Sequence, residues 1–386
     1  PRTGETVSMV RAAEIFDLVV DSAWASGDTG IVFLDRINEN NPTAHLGPIE
    51  ATNPCGEQPL LPYESCNLGS LNLVRFLDGN GNFDWEKLGK VVDLAVRFLD
   101  DVIEMNHYPL PEIRERTRQN RKVGLGIMGW AEVLFEKGIP YGSRESISLG
   151  EEVMSFIQAR GHAASESLAG ERGCFPSWEG SSWALQGRPM RNATVTTIAP
   201  TGTLSILADC SSGIEPVYAL AYRRKAFESD TLTVVNEILI RKLEERGTLN
   251  PGVIEAICEK GSAEGLDVPE DIRNVFLTSH EIPYEAHVAM QAAFQRFTDN
   301  AVSKTINLPN EASREDVRKA FWLAYESGCK GITVYRDRCK DSQVLYAGSR
   351  AKAEEEPRDG KTLPRRRPSL LRGTTVKIMT GFGNLY

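Results

Sequence analysis

The sequence predicts an α/β protein, and three observations carry that expectation. Stretches with helical periodicity are interleaved with short β-branched or apolar runs. Those runs are apolar at successive positions, as in strands covered by helices on both faces. The composition, 41% hydrophobic and 25% charged, is that of an ordinary globular chain. At 386 residues there is room for two or three ordinary domains, or for one large α/β domain with additions.

Taken in order, helical periodicity marks residues 10–25, 85–105 and 146–168, then 234–246, 287–302 and 314–326. The last has the clearest bounds: Ser313 stands as N-cap with Asp316 three residues on, and Gly328 lies just past the end. Between these helices, residues 30–34, 193–198, 304–308 and 331–335 read as strands. No repeat of solenoid length is visible. Composition changes after about residue 345. Residues 346–369 hold almost no apolar side chain and read as a solvated, flexible linker; 370–386 regain strand character and then stop. The chain opens Pro1-Arg2-Thr3-Gly4 without Met or a secretory or transit pattern. Both ends therefore read as cuts in a longer polypeptide.

The net charge of −9 argues against a nucleic-acid polymer as partner, which needs basic surface, but leaves a nucleotide-sized ligand open. The apolar runs, such as residues 16–20, are too short to span a bilayer. Seven cysteines, at 55, 66, 174, 210, 258, 329 and 339, are odd in number and irregularly spaced, which fits reduced thiols in a cytoplasmic protein. No pair has C-x-x-C spacing and the five histidines are scattered, so no metal site is expected. His280-Glu281 begins a zinc-protease motif, but Tyr284 stands where the second histidine belongs.

Three stretches carry candidate chemistry. In residues 193–205, ATVTTIAPTGTLS, a β-branched strand runs into a Gly- and hydroxyl-rich turn before a helix. Pro200, Thr201, Gly202, Thr203, Leu204 and Ser205 could seat a phosphate on free backbone N–H groups, or form a plain strand–turn–helix connection. Residues 124–129, GLGIMG, form a literal G-x-G-x-x-G, yet the polar residues 117–122 before it are no buried strand. Backbone packed closely around something bulky is the better reading. In TNPCGEQ, Asn53, Cys55 and Glu57 alternate, so an extended segment would align an amide, a thiol and a carboxylate on one side, with Cys66 eleven residues beyond Cys55. Buried structural cysteines would account for either thiol alone. A cysteine hydrolase would want an activating histidine, and His45 has no such neighbourhood. Two thiols with a base suggest redox chemistry on a hydroxylated substrate.

Asn53-Pro54-Cys55-Gly56-Glu57 together with Glu64-Ser65-Cys66-Asn67-Leu68-Gly69-Ser70 resembles the active-site finger loop of ribonucleotide reductase large subunits. So do Ala199-Pro200-Thr201-Gly202-Thr203 with Ser212-Gly213-Ile214-Glu215-Pro216, and the segment from Gly328 to Arg336. The resemblance covers most of residues 1–345. Within the family the chain looks like the adenosylcobalamin-dependent (class II) type. The metal-dependent type relays its radical through two adjacent tyrosines, where this chain has Val334-Tyr335.

The resemblance implies the family's ten-stranded α/β barrel with the finger loop through its centre, and reduction of ribonucleotides, diphosphates rather than triphosphates. Cys55 would be the thiyl radical that takes the ribose 3′-hydrogen. Glu57 would be the general base for the 3′-hydroxyl, and Asn53 would hold the substrate hydroxyls. Residues 53–57, Pro54 and Gly56 included, would touch substrate, and Pro200 to Ser205 would hold its phosphates. Cys66 would be one of two reducing thiols, re-reduced by a thioredoxin-type partner. Its cysteine partner is expected upstream, since no cysteine precedes Cys55 here. The chain would then be the C-terminal portion of the enzyme, needing an N-terminal half and able to form a homodimer. Residues 370–386 would begin a further module. The glycines at 124–129 would lie near the corrin. The rival readings are the large subunit of a metal-dependent (class I) reductase, or a non-catalytic barrel fragment.

Overall fold

A computed structural model describes residues 6, 8–28, 30–225, 231–339, 378–380 and 383–385; the side chains of 222–225, 231–234 and those beyond 339 are not among them. Two units separate at residue 351. In the C-terminal unit the described residues form an antiparallel pair, Ile378–Thr380 with Gly383–Leu385. The linker expected at 346–369 lies outside the described residues.

The larger unit is a series of β–α–β crossovers. Helix α1 (Ala12–Ser26) leads to β1 (Ile31–Val32) and the short α2 (Leu34–Glu39). A hairpin of β2 (Ala51–Thr52) and β3 (Pro59–Leu60) follows, then β4 (Asn67–Asn72). Helices α3 (Trp85–Met105) and α4 (Pro111–Asn120) cross over to β5 (Val123–Met128), which pairs parallel with β4, Asn67 opposite Val123. Helices α5 (Trp130–Lys137) and α6 (Arg144–Arg172) return the chain to the segment 194–198. That segment bridges β5 in parallel at Leu125–Thr196 and is bridged in turn by Val302 at Ile198. The chain from residue 301 continues into β6, numbered here for the main array (Thr305–Leu308), which pairs parallel with β7 (Gly331–Arg336). Five parallel segments thus lie side by side in chain order, and β1 closes on β7 antiparallel, Ile31 opposite Ile332.

Alternation along β5 explains its odd sequence. Val123, Leu125 and Ile127 point to one core, where they meet Val92, Val96 and Leu99 of α3 and Val153, Met154 and Ile157 of α6. Each such buried aliphatic chain contributes about 1.5–3 kcal/mol. Gly124 and Gly126 point to the other face. A Cβ on Gly126 would come 2.2 Å from the Thr197 carbonyl oxygen, and one on Gly124 would come 2.8 Å from Gln58 Nε2. The close packing expected at 124–129 is therefore real, but its partners are Thr197 and the β2–β3 hairpin. Gly124 and Gly126 lie within the strand and Gly129 precedes the next helix, so the segment is a strand and not a phosphate loop, and the space beside Gly124 and Gly126 is filled by the chain itself.

Helix bounds follow local chemistry. Asp84 caps α3 by accepting from Lys87 N, and Ser143 caps α6 by accepting from Ser146 N. Ser313 and Asp316 form a reciprocal capping box on the helix Arg314–Glu326. The helix expected over 287–302 starts earlier and ends earlier, at Tyr284–Gln295, because 300–303 hydrogen-bond to the 196–198 segment. The helix expected from 234 starts at Glu237, since Thr231–Val235 pairs with Ala221–Lys225 and Asn236 supplies the cap. A buried ion network ties the crossover together: Asp100 of α3 meets Arg121 at 2.7 Å, and also Arg172 and Arg191. Burial alone would raise the Asp100 carboxyl, but these guanidiniums hold it below the usual range.

Candidate active site

The β2–β3 hairpin carries the first group of candidates. Ala51 pairs with Leu60 and Thr52 with Pro59. Its tip is a tight turn: Gly56 N donates to Asn53 O at 3.0 Å, and Gly56 takes φ +82°, a backbone region that favours glycine. The segment 53–56 is therefore not extended, as the alternation of Asn53, Cys55 and Glu57 implied. The Asn53 side-chain oxygen accepts from Gln58 N at 3.0 Å, and Asn53 N donates to Gln58 O at 3.2 Å. Asn53 closes the turn on itself, and its side-chain oxygen is engaged there.

Around that turn exposure changes abruptly. Pro54 and Cys55 are exposed at the tip, while Glu57 and Gln58 are 2% and 3% exposed. The hairpin is seated across the parallel array by backbone: Glu57 O accepts from Ala301 N at 2.9 Å and from Thr197 Oγ1 at 3.1 Å. The Glu57 carboxylate is left with Oε2 buried and without a hydrogen-bond partner, and both amide atoms of Gln58 are likewise unpartnered. An unpartnered buried carboxylate oxygen is costly, so it calls for a partner outside this chain's own side chains. The Cys55 thiol is pushed up by partial burial and then by the Glu57 charge.

Cys66 lies immediately before β4 and is half-buried. Desolvation drives its thiol well above the ordinary range, Lys122 opposes that, and Glu64 and Glu57 add to it. Glu57 thus acts electrostatically on both thiols. Beneath the hairpin is a buried pair that the sequence reading missed: Lys122 Nζ meets Glu64 Oε2 at 2.8 Å, each side chain 1% exposed. Two charges flanking apolar strand starts were the available signal.

The turn Pro200 to Ser205 continues directly from the segment on which the hairpin sits. Residues Gly202–Ala208 form a short helix, and Thr201 precedes it with φ +54°. The Thr201 hydroxyl does not cap that helix; it accepts from Gly213 N at 2.8 Å. Ser205 is buried and its hydroxyl meets Ser212 Oγ at 2.9 Å, whereas Gly202, Thr203 and Leu204 are exposed. The structure therefore brings the hairpin and the turn onto one segment, 194–201.

A family model for the ribonucleotide reductase barrel domain matches residues 2–187 and 184–335. The chain belongs to the ribonucleotide reductase family. Among similar proteins, a vitamin B12-dependent ribonucleoside-diphosphate reductase of Thermoplasma acidophilum is 48% identical over 359 residues, 93% of this chain and 47% of that protein. One from Mycobacterium tuberculosis is 49% identical over 350 residues, 90% of this chain and 50% of that protein. The chain thus spans about half the length of these reductases. The alpha subunit of a class Id ribonucleotide reductase from Actinobacillus ureae shares the fold, with a TM-score of 0.72 at 24% identity, over 84% of this chain and 61% of that one. The match to the barrel-domain model covers the five parallel segments and the β2–β3 hairpin.

Proposed function

We propose that this chain forms the catalytic part of an adenosylcobalamin-dependent ribonucleotide reductase that converts ribonucleoside diphosphates to deoxyribonucleotides. The observation that carries the reading is Glu57: a buried carboxylate with one oxygen unpartnered, two residues from an exposed thiol. Relatives of nearly half identity whose names state B12 dependence and diphosphate reduction support the cofactor and substrate class. The β2–β3 hairpin is the family's finger loop in this reading. The five parallel segments are one half of a ten-stranded barrel, and chain outside residues 1–386 supplies strands beside β4, whose other edge is unpaired among the described strands.

The residues then divide the work. Cys55, open at the turn, is where a thiyl radical takes the ribose 3′-hydrogen; this step is reversible because the S–H and activated C–H bonds are close in strength. Glu57 accepts the 3′-hydroxyl proton on its free oxygen, and its enclosure excludes water from that transfer. Asn53 keeps the turn closed, with its amide nitrogen left for a substrate hydroxyl. Cys66, with a second cysteine, supplies two electrons and two protons as the 2′-hydroxyl leaves as water, and the pair ends as a disulfide that an external dithiol reduces. Pro200, Thr201, Gly202, Thr203, Leu204 and Ser205 hold the phosphates, with the exposed backbone of 202–204 as donors. Adenosylcobalamin supplies the radical when bound. The fit rests on the Cys55 thiol, which is exposed rather than enclosed by its own chain. The full-length protein should reduce ribonucleoside diphosphates only with adenosylcobalamin and a dithiol. Cys55→Ser and Glu57→Gln should each abolish turnover while substrate still binds. Turnover without the cofactor, or an active Cys55→Ser, would reject the reading.

A further inference from the structure

The buried pair Lys122–Glu64 lies between the hairpin and Cys66, with Lys122 just before β5 and Glu64 two residues before Cys66. Glu64 uses both oxygens. Oε2 accepts from Leu61 N at 2.6 Å and from Lys122 Nζ at 2.8 Å; Oε1 accepts from Asn120 Nδ2. Lys122 Nζ also reaches Pro59 O at 3.5 Å. Pro59 lies in the return arm of the hairpin that presents Cys55 and Glu57, and Leu61 directly follows that arm. Ser65, between Glu64 and Cys66, is itself held to Thr117 at the end of α4, through Oγ1 at 2.7 Å.

The strand register brings Cys66 into the same cluster. Asn67 stands opposite Val123 in the parallel pair, so one step earlier Cys66 comes abreast of Lys122. Neighbours abreast in a parallel pair send their side chains to one face. That face is the one on which Gly124 admits Gln58 of the hairpin. The charged groups that act on the Cys66 sulfur are Lys122, Glu64 and Glu57.

We propose that Lys122 and Glu64 are positioning residues for Cys66: they lock the finger hairpin to the start of β5 and hold an ammonium, balanced by one carboxylate, beside the Cys66 sulfur. This rests on the reading of Cys66 as a redox thiol. When its disulfide is opened, an external dithiol attacks the partner sulfur and Cys66 leaves as thiolate. The dithiol loses two electrons and two protons and becomes a disulfide, and the S–S bond becomes two S–H groups. Lys122 stabilises the leaving thiolate; Glu64 prevents that ammonium from keeping Cys66 ionised afterwards, so the thiol returns protonated as the next cycle requires.

The test is the pH profile of Cys66 alkylation by iodoacetamide in the full-length protein, read by peptide mass spectrometry. Buried Cys258 and Cys329 in the same digest report loosening of the fold. Glu64→Gln leaves the ammonium uncompensated and should speed Cys66 alkylation at neutral pH by roughly three- to tenfold, tenfold per pKa unit. Lys122→Met should be no faster than wild type, and Lys122→Arg should keep the wild-type profile. Equal acceleration in Glu64→Gln and Lys122→Met, or an unchanged profile in Glu64→Gln, would overturn the proposal. Because the readout is chemical, it is separable from the redox reading, which fails instead if Cys66→Ser retains multiple turnover.

Discussion

Replacing Gly126 by Ala adds one methyl group to a place that has no room for it. The new Cβ would sit 2.2 Å from the Thr197 carbonyl oxygen and 3.3 Å from its carbon. That is roughly 1 Å inside van der Waals contact. Both neighbours are backbone and both are pinned: Leu125 N donates to Val195 O at 2.7 Å and Thr197 N to Leu125 O at 3.1 Å. No rotamer change relieves the contact, so β5 and the 194–198 segment must part. Overpacking of a close core costs about 1–3 kcal/mol, and a buried ladder hydrogen bond strained or lost adds about 1 kcal/mol. The expected destabilisation is about 3 kcal/mol, less a few tenths recovered from the lower entropy of an unfolded Ala chain. Urea unfolding followed by circular dichroism would show it as a lower midpoint. Gly170→Ala is the control: it lies in α6 with nothing within 4 Å of its added Cβ, and should gain about 0.5–1 kcal/mol. If Gly126→Ala unfolds within about 0.5 kcal/mol of wild type, the packing of β5 against Thr197 described above is wrong.

Two further outcomes follow from the same geometry. A Cβ at Gly124 would meet Thr197 Cγ2 at 2.7 Å and Gln58 Nε2 and Leu68 Cδ2 at 2.8 Å, all ends of side chains. Gly124→Ala should therefore cost less stability than Gly126→Ala but more turnover, because the displaced Gln58 belongs to the hairpin; a stability loss with unchanged kcat would contradict this. Asp299 is buried, which alone would raise its carboxyl, but His162, the backbone of Val195 and Gln158 bring it down to about 2. A carboxyl depressed from 3.8 stabilises the fold fully above that value, by about 2 kcal/mol, and loses this as pH falls towards 2. Asp299→Asn should thus cost more at pH 6 than at pH 2.5 in the same unfolding assay, and an equal cost at both would refute the assignment.

Much of the architecture was legible where period and capping agree. Residues 85–105 and 314–326 form helices with those bounds because Asp84 and the Ser313–Asp316 box fix their starts. At 124–129 the close packing was legible in the glycines but the strand was not: the polar residues 117–122 before it argue against one, whereas Gly124 and Gly126 mark a strand whose inner face is crossed by the 194–198 segment. Such a crossing is a tertiary fact, and spacing does not encode it. The same holds for the hairpin. The sequence placed Cys55 and Glu57 in one loop, but the turn at Asn53–Gly56, and hence an exposed thiol beside a buried carboxylate, depends on Thr197 and Ala301 seating Glu57 O. Lys122 and Glu64 stayed invisible for a further reason: charged residues at strand starts normally face solvent, and it is tertiary packing, the hairpin's return arm included, that makes them a buried pair.

The most direct test of the account is electron paramagnetic resonance on the full-length protein with adenosylcobalamin, a ribonucleoside diphosphate and effector nucleotide. A sulfur-centred radical should form with wild type and be lost in Cys55→Ser. A radical that persists in Cys55→Ser, or none in wild type with cofactor and substrate bound, would contradict it.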